Sequence, residues 1–286
     1  MTSHYLAIDL GAESGRVMLG TLESGCISLK ELSRFSNKPI REGDNIYWNI
    51  PALVKGIRDG LVKAGALGQP ITSVSADAWG VDYVLIDNNG EIMEPVFHYR
   101  HPRTVNGEKK ALTKVDWPTL FDETGVQYML LNTSIQLCAE GSERLDMAKT
   151  ILTIADAFNY LLSGVAKIEV SMASTTQLYN PRLNCWSDRL IKDLGLPRSM
   201  FPEVVTSATT LGPLKSDFLE CSGLNNINVV SSLSHDTACA VAACPADSKR
   251  WAYISSGTWS LIGLELSEPI LTDDCRDLNF TNEIGY

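Results

Sequence analysis

Alternating apolar and polar positions predict several strands in the first ninety residues. The segment 6–20, LAIDLGAESGRVMLG, indicates two apolar strands joined by a Gly- and Ser-rich turn. Similar alternation predicts a strand pair near 26–36 and strands over 71–76 and 81–86. Because three strands precede the first helix, the order favours an α/β fold with a mixed sheet over a purely parallel one.

Helical periodicity defines the other elements. A helix is predicted over 51–64, with Asn49 as its cap, and helical spacing dominates from about 108 to 163. Few strands are predicted between there and 227–232, a strand that leads through SHDT into a short helix of small residues. This order differs from a dinucleotide-binding fold, in which a Gly-rich turn opens a helix directly.

The plan of the first hairpin recurs near the other end of the chain. The segment 252–266, AYISSGTWSLIGLEL, again has two apolar strands around a Ser- and Gly-rich bend that contains Thr258. Backbone N–H groups and hydroxyls at such bends suit a phosphate chain, although small residues also make ordinary tight turns. The duplication favours a nucleotide clamp formed by two lobes, with the carboxylate of Asp9 in the first lobe only.

Two carboxylates are candidates for the chemistry. Asp9 lies at a strand end beside the first bend, where it could hold Mg²⁺ together with phosphate oxygens, or simply form a turn. Asp236 lies at a strand-to-helix junction, where a helix dipole and free N–H groups would keep it ionised. An ionised carboxylate there could be the base for a hydroxyl that attacks a phosphoryl group, or it could be an ordinary helix cap.

The turn Asp77-Ala78-Trp79-Gly80-Val81-Asp82 is a further candidate site. Carboxylates and backbone groups at a strand end can bind sugar hydroxyls, while an indole face packs on C–H surfaces. The alternative is a core tryptophan beside a tight turn.

Composition narrows the class of protein. The 286 residues carry 24 Lys and Arg against 34 Asp and Glu, a net charge of −10, which argues against nucleic acid or an anionic membrane as the main partner. The first residues contain no signal-peptide pattern, and the longest apolar runs are too short to span a bilayer. Seven scattered cysteines suit reduced thiols, so we expect a cytoplasmic protein. Nothing in the sequence indicates an oligomeric state.

Seven motifs, taken together, resemble the FGGY family of carbohydrate kinases along nearly the whole chain. They are AIDLGAESGRVML at 7–19, DAWGVDYVLID at 77–87, YRHPRT at 99–104, ASTTQL at 173–178, SHDTA at 234–238, SSGTWSLIG at 255–263 and TNE at 281–283. The resemblance implies an actin-like, RNase H-like ATPase fold with a first domain over 1–248 and the start of a second, similar domain over 249–286.

The same resemblance implies the roles of individual residues. ATP phosphates would be bound by the first bend, and ATP would also be contacted by Thr258 of the second lobe; the residues of the first bend are Ala12, Glu13, Ser14, Gly15 and Arg16. Sugar would be contacted by Gly80, His235, Asp236 and Thr237, with Asp236 as proton acceptor, and Asp9 would hold Mg²⁺. The implied partners are therefore ATP, Mg²⁺ and a small sugar.

The identity of the sugar stays open at this point. The resemblance favours L-rhamnulose, with L-fuculose, D-xylulose and glycerol as alternatives. Members of the family continue well beyond this length, so we expect the 286-residue chain to lack most of the nucleotide-binding domain and to have little kinase activity alone. A non-catalytic sugar-binding module derived from such a kinase is the alternative from another class.

Overall fold

The computed structural model describes residues 2–248 and 250–285 as a mixed α/β structure. Its strands are β1 (Thr2–Leu10), β2 (Ser14–Glu23), β3 (Cys26–Ser36), β4 (Ile40–Glu42), β5 (Asn45–Tyr47), β6 (Ile71–Ala78), β7 (Tyr83–Ile86), β8 (Thr150–Thr153), β9 (Ile168–Glu169), β10 (Tyr179–Asn180), β11 (Cys185–Trp186), β12 (Val204–Val205), β13 (Thr209–Pro213), β14 (Asn228–Ser231), β15 (Ala252–Ser256) and β16 (Ser260–Leu264).

Helices cover and connect these strands. They are α1 (Ile50–Gly65), α2 (Thr104–Lys114), α3 (Trp117–Thr124), α4 (Thr133–Cys138), α5 (Ser142–Met147), α6 (Ile154–Ser163), α7 (Val170–Thr175), α8 (Asp188–Asp193), α9 (Ser216–Ser222), α10 (Asp236–Ala242) and α11 (Asp273–Asp277). A short 3-10 helix spans Arg198–Met200.

A six-stranded mixed sheet lies at the centre of the fold, in the order β13-β14-β6-β1-β2-β3. The pairs β1–β2, β2–β3 and β13–β14 are antiparallel, whereas β1–β6 and β6–β14 are parallel. The predicted α/β class with a mixed sheet is therefore confirmed. Because β1, β6 and β14 run in the same direction, the residues that follow them meet at one edge of the sheet.

Alternation in β1 explains why the first hairpin forms. Leu6, Ile8 and Leu10 are buried, while Asp9 between them is half-buried and points to the other face. Asn49 accepts a hydrogen bond from the N–H of Ala52, so its predicted role as the cap of α1 is confirmed.

Close packing of α1 on β2 and β3 fixes the position of the first hairpin. A Cβ atom added to Gly60 would lie 2.4 Å from Val17, and one added to Gly56 would lie 2.4 Å from the ring of Phe35. Both distances are below any real contact, so only glycine allows α1 to approach this closely. The other side of the β6 region is supported by α6, whose Asn159 side chain hydrogen-bonds both backbone groups of Ala76.

Some sequence expectations need correction. The predicted strand pair near 26–36 is one strand, β3, which pairs with β2 after a turn at Ser24 and Gly25. Asp77 and Ala78, predicted in a turn, are the last residues of β6. The segment after 164 contains α7, α9 and several two-residue strands, which are too short for periodicity to reveal.

The second predicted hairpin is confirmed as β15 and β16, which pair with each other in an antiparallel register. The β15 strand packs beside α10. The predicted domain boundary between 248 and 249 adjoins Lys249, which lies outside the described residues, and it stays a prediction. Across residues 2–248 and 250–285, no helix combines the length and apolar character that crossing a membrane requires.

Candidate active site

The first bend is a tight turn stabilised from the neighbouring strand. The N–H of Gly11 donates to Ser14 O at 2.9 Å and closes the turn between β1 and β2. Asn37, directly after β3, donates its side-chain Nδ2 to Gly11 O at 3.0 Å and its backbone N–H to Glu13 O at 2.8 Å. Among the described residues, no acceptor receives the N–H groups of Ala12 and Glu13. These two donors fit an anionic ligand.

Charged side chains line the sheet beside this turn. Arg16 Nη2 lies 2.7 Å from Asp9 Oδ2, across the β1–β2 pair. Asp77 is the register neighbour of Asp9 on β6. Burial raises the pKa of Asp77 well above its ordinary value, and the negative charges of Asp9 and Asp236 raise it further. Burial is the larger cause, and a bound cation would relieve the smaller repulsion among the three carboxylates.

Asp236 begins α10 at the same edge of the sheet. Its Oδ1 accepts from the backbone N–H of Thr237 at 2.6 Å, so the carboxylate is not an ordinary helix cap. Burial is the largest influence on the Asp236 carboxyl and raises its pKa overall, although the charge of His235 and the hydrogen bond from Thr237 act to lower it. The Thr237 N–H is one of the free N–H groups expected to favour the ionised carboxylate, and His235 adds a larger favourable influence. The contribution of the helix dipole stays a prediction.

His235 lies between the candidate base and the end of β6. Its Nε2 is 3.5 Å from Asp236 Oδ1, and a Cβ atom added to Gly80 would lie 3.2 Å from the same nitrogen. The loop continues the edge of β6, since the N–H of Ala78 donates to Ser234 O at 2.9 Å. Gly80, His235, Asp236 and Thr237, which the sequence analysis grouped together, therefore lie together in the structure.

The buried side chains of Ser171 and Glu169 hold the backbone of the Ser234–His235 loop. Ser171 Oγ accepts from the N–H groups of Ser234 and His235 at 3.2 and 3.1 Å, and Glu169 Oε2 also accepts from Ser234 N at 3.2 Å. Glu169 in turn accepts a hydrogen bond from the Ser171 hydroxyl. The backbone that carries His235 and Asp236 is therefore fixed by side chains from β9 and α7.

The tryptophan of the 77–82 segment belongs to the core. Trp79 is buried, and its Nε1 donates to Asp82 Oδ2 at 3.0 Å. Asp82 also accepts from Trp48 Nε1 at 2.6 Å and from Gln136 Nε2 at 3.0 Å. Because its acceptors are used inside the protein, Asp82 does not offer them to a sugar, and the core interpretation of Trp79 is correct.

Thr258, predicted to contact ATP, does not contact the other predicted site residues through hydrogen bonds among the described residues. It is exposed at the tip of the β15–β16 hairpin, where Gly257 N donates to Trp259 O at 2.8 Å. Within the described residues, it has no hydrogen bond to the first bend. The predicted clamp of two bends on one polyphosphate therefore stays a prediction.

Comparisons with known proteins identify the family of this chain. The sequence profile for the FGGY family of carbohydrate kinases, N-terminal domain, matches residues 4–243. The chain belongs to the FGGY family of carbohydrate kinases. It is 37% identical to a rhamnulokinase of Bacteroides thetaiotaomicron over all of this chain and 59% of that protein, and 38% identical to a rhamnulokinase of Ligilactobacillus salivarius over 98% of this chain and 58% of that one.

Solved structures support the fold of this FGGY chain. A xylulose kinase from Lactobacillus acidophilus, determined with ligand bound, has a TM-score of 0.83 at 12% identity and covers 96% of this chain and 56% of its own. A carbohydrate kinase from Novosphingobium aromaticivorans has a TM-score of 0.79 at 22% identity, with 95% and 58% covered. These sugar kinases have the actin-like ATPase fold, so that predicted fold is confirmed. The chain spans somewhat more than half the length of the curated relatives it matches.

The donor set of this FGGY chain fits Mg²⁺ only together with other oxygen ligands. Among the described residues, no three acidic, histidine or cysteine side chains are arranged to hold a metal ion. One carboxylate, Asp9, lies beside the free N–H groups of the first bend, within a cluster of excess negative charge. That arrangement suits a partly hydrated ion bound through phosphate oxygens, which is the coordination that Mg²⁺ usually takes.

Sequence reasoning did not assign a role to two of the polar residues at this site. Glu283 lies 3.0 Å from His235, and Asn37 closes the first bend. Glu283 belongs to the TNE motif, which indicated the family but did not predict that this residue would lie beside His235. Asn37 follows a strand whose pairing places it beside the bend, and only the register of β2 and β3 reveals this.

Proposed function

We propose that this chain carries the sugar site and the catalytic base of an ATP- and Mg²⁺-dependent kinase that converts L-rhamnulose to L-rhamnulose 1-phosphate in the cytoplasm. The observation that carries the proposal is the meeting of Asp236, His235 and Gly80 with the first bend at one edge of the sheet. The relatives named rhamnulokinase support the choice of sugar.

In the proposed reaction, Asp236 accepts the proton of the primary hydroxyl of the sugar. The hydroxyl oxygen then forms a bond to the γ-phosphorus of ATP while the bond between that phosphorus and the leaving ADP oxygen breaks. General-base assistance of this kind contributes roughly 10² to 10⁴ in rate. Asp236 directly follows Ser234 and His235, whose backbone N–H groups are held by Ser171. This supports the role, because proton transfer requires a well-placed acceptor.

The first bend would bind the phosphates. The free N–H groups of Ala12 and Glu13 face the anion, with Ser14, Gly15 and Arg16 completing the proposed ATP contact. Mg²⁺, held by Asp9 and phosphate oxygens, would neutralise charge that develops during transfer. Thr258 would contact ATP from the part of the chain that starts near 249, which we propose as the beginning of a second domain.

Two parts of the proposal can be tested separately: which sugar is bound, and whether phosphate is transferred to it. The same geometry could serve L-fuculose, D-xylulose or glycerol, since the backbone and carboxylate positions do not select one polyol. A sugar-binding module without phosphoryl transfer is the second candidate, because Thr258 is exposed and the chain spans about 58% of the L. salivarius relative.

Calorimetry on the 286-residue chain tests the sugar site. We expect saturable binding of L-rhamnulose that is stronger than binding of L-fuculose, D-xylulose or glycerol. The change Gly80→Ala should weaken it by roughly tenfold, about 1.4 kcal/mol, because the new methyl group crowds His235 at 3.2 Å. The control Gly141→Ala adds the same methyl group where no atom lies within 4 Å and should leave affinity unchanged. Absence of binding to all four sugars would contradict the proposed site.

A further inference from the structure

A segment near the end of the described chain crosses back onto the first part of the fold. We call residues 279–284, which follow α11, the strap. Asn279 Oδ1 accepts from Tyr128 N at 2.8 Å, and Asn282 donates to Gly125 O through its backbone N–H at 2.9 Å and its Nδ2 at 3.0 Å. Ile284 N donates to Ser174 Oγ at 2.9 Å. These contacts fix the strap on both sides of Glu283.

Glu283 places its carboxylate against the active-site histidine. Its Oε2 lies 3.0 Å from His235 Nδ1, while the other ring nitrogen, Nε2, lies 3.5 Å from Asp236 Oδ1. The His235 side chain is 8% exposed. Neither contact has hydrogen-bond geometry, and Nδ1 has no hydrogen-bond partner among the described residues. The protonated ring nevertheless places a positive charge against both carboxylates, whereas the neutral ring carries none.

We propose that Glu283 is a positioning residue that keeps His235 protonated and thereby keeps Asp236 ionised as the base. This rests on the proposed function of Asp236. Glu283 does not touch the sugar in this account and acts through His235. The relation is electrostatic: the negative Glu283 stabilises the positive ring, and the positive ring offsets the burial of the Asp236 carboxylate.

The surrounding charges agree with this relation. Burial lowers the pKa of His235, but the charge of Glu283, together with those of Asp236 and Asp77, raises it above its ordinary value to about 9. Burial raises the pKa of Glu283, but the charge and the close approach of His235 together outweigh it, so the pKa is lowered overall. Tyr253 of β15 also faces Glu283, and burial with that negative charge raises the pKa of its phenol.

Without Glu283, the largest influence that raises the pKa of His235 is lost. His235 would then be buried beside Asp236 and Asp77, with Asp9 farther along the sheet. Burial favours the neutral ring, and a neutral ring removes the main influence that lowers the pKa of Asp236. The base would be more often protonated near neutral pH and less able to accept a proton.

Nuclear magnetic resonance of the histidine rings tests the proposal on the chain as it exists. The chain has four histidines. Substituting each histidine in turn removes one ring signal and so assigns it. We expect His235 to titrate well above pH 7 in the original chain. In Glu283→Gln its midpoint should fall by more than about one pH unit, because the charge is lost while the side-chain shape is kept.

Two further variants separate charge from folding. Glu268→Gln removes the same charge from an exposed position in the region before the strap and should leave the His235 midpoint unchanged. Asn282→Ala loosens the strap without changing any charge and should lower the midpoint in the same direction by a smaller amount. An unchanged midpoint in Glu283→Gln, or a His235 midpoint near 6.5 in the original chain, would overturn the proposal.

Sugar calorimetry on the same samples distinguishes this proposal from the proposed function. If the midpoint falls as expected but L-rhamnulose does not bind to the original chain, the ion pair exists and the proposed substrate is wrong. If L-rhamnulose binds and the midpoint does not move, the sugar site stands and the role of Glu283 is refuted.

Discussion

His235 and Asp236 are neighbours in the chain, and each favours the charged form of the other, positive for His235 and negative for Asp236. The side chain of Asp236 is half-buried and its ionised form is favoured by the charge of His235, whereas His235 gains its charge from carboxylates on other elements. Sequence reasoning could place Asp236 at a strand-to-helix junction and propose it as a base. It could not find the partner of His235, because Glu283 is distant in sequence and comes into contact only when the strap crosses the fold.

The ion pair between His235 and Glu283 makes stability depend on pH. The folded pKa of His235 is raised from 6.5 to about 9, so its contribution is complete below 6.5 and is lost as the pH rises through 9. The folded pKa of Glu283 is lowered from 4.5, so its contribution is present above that value and is lost as the pH falls below it. The pair therefore stabilises the fold most between about pH 4.5 and pH 6.5.

Chemical denaturation measures this prediction. At pH 6, Glu283→Gln should lower the free energy of unfolding by on the order of 2 kcal/mol. The difference from the original chain should shrink towards pH 9 and above. Glu268→Gln provides the matched control and should track the original chain throughout. A difference that stays constant from pH 6 to 10 would show that the carboxylate stabilises the fold by packing and not by pairing with charged His235.

At the scale of elements, the first hairpin was predictable and its support was not. The alternation of Leu6, Ile8 and Leu10 reveals β1, and the Gly- and Ser-rich bend reveals the turn. The ring of Phe35, by contrast, lies between Gly15 of the hairpin and Gly56 of α1. That contact depends on strand register and helix position, which local patterns do not contain.

Gly15, where the first bend enters β2, is therefore expected to be essential for packing. A Cβ atom at Gly15 would lie 2.3 Å from Phe35, whose ring cannot retreat because Gly56 lies on its other side. We expect Gly15→Ala to lower the free energy of unfolding by about 1–3 kcal/mol and to distort the bend. Thermal denaturation measures this, and Gly20→Ala is the control, because its Cβ atom would meet nothing nearer than 3.7 Å on the same strand. Equal stability of the two variants would refute the packing argument.

At the scale of the whole molecule, the mixed sheet and its family were predictable from seven motifs in order. The clamp of two bends, predicted from the repeated hairpin, stays a prediction, because it depends on how the β15–β16 hairpin lies relative to the sheet. That hairpin exposes large apolar side chains, with Ile254 at 71% and Ile262 at 75%. Exposed apolar strands of this kind invite association with another surface.

The 286-residue chain alone should have little kinase activity. Phosphoryl transfer depends on groups positioned on both sides of the phosphates, and Thr258 lies on an exposed hairpin whose two strands, among the described residues, pair with each other and with no third strand. We expect a coupled assay of ADP release with L-rhamnulose to show turnover far below the usual range of about 1 to 10³ s⁻¹. Monomeric chain that turns over within that range would contradict this prediction.

The most direct test of the central claim is ADP release by a two-domain kinase in which residues 1–286 are followed by the C-terminal part of the Bacteroides thetaiotaomicron relative. With L-rhamnulose, ATP and Mg²⁺, we expect ready turnover and a higher kcat/KM than with L-fuculose, D-xylulose or glycerol. Asp236→Asn should lower kcat by at least about 10² while the KM for the sugar changes little, because it removes the proton acceptor and keeps the shape. Near-original turnover in Asp236→Asn, or a clear preference for another sugar, would contradict the account.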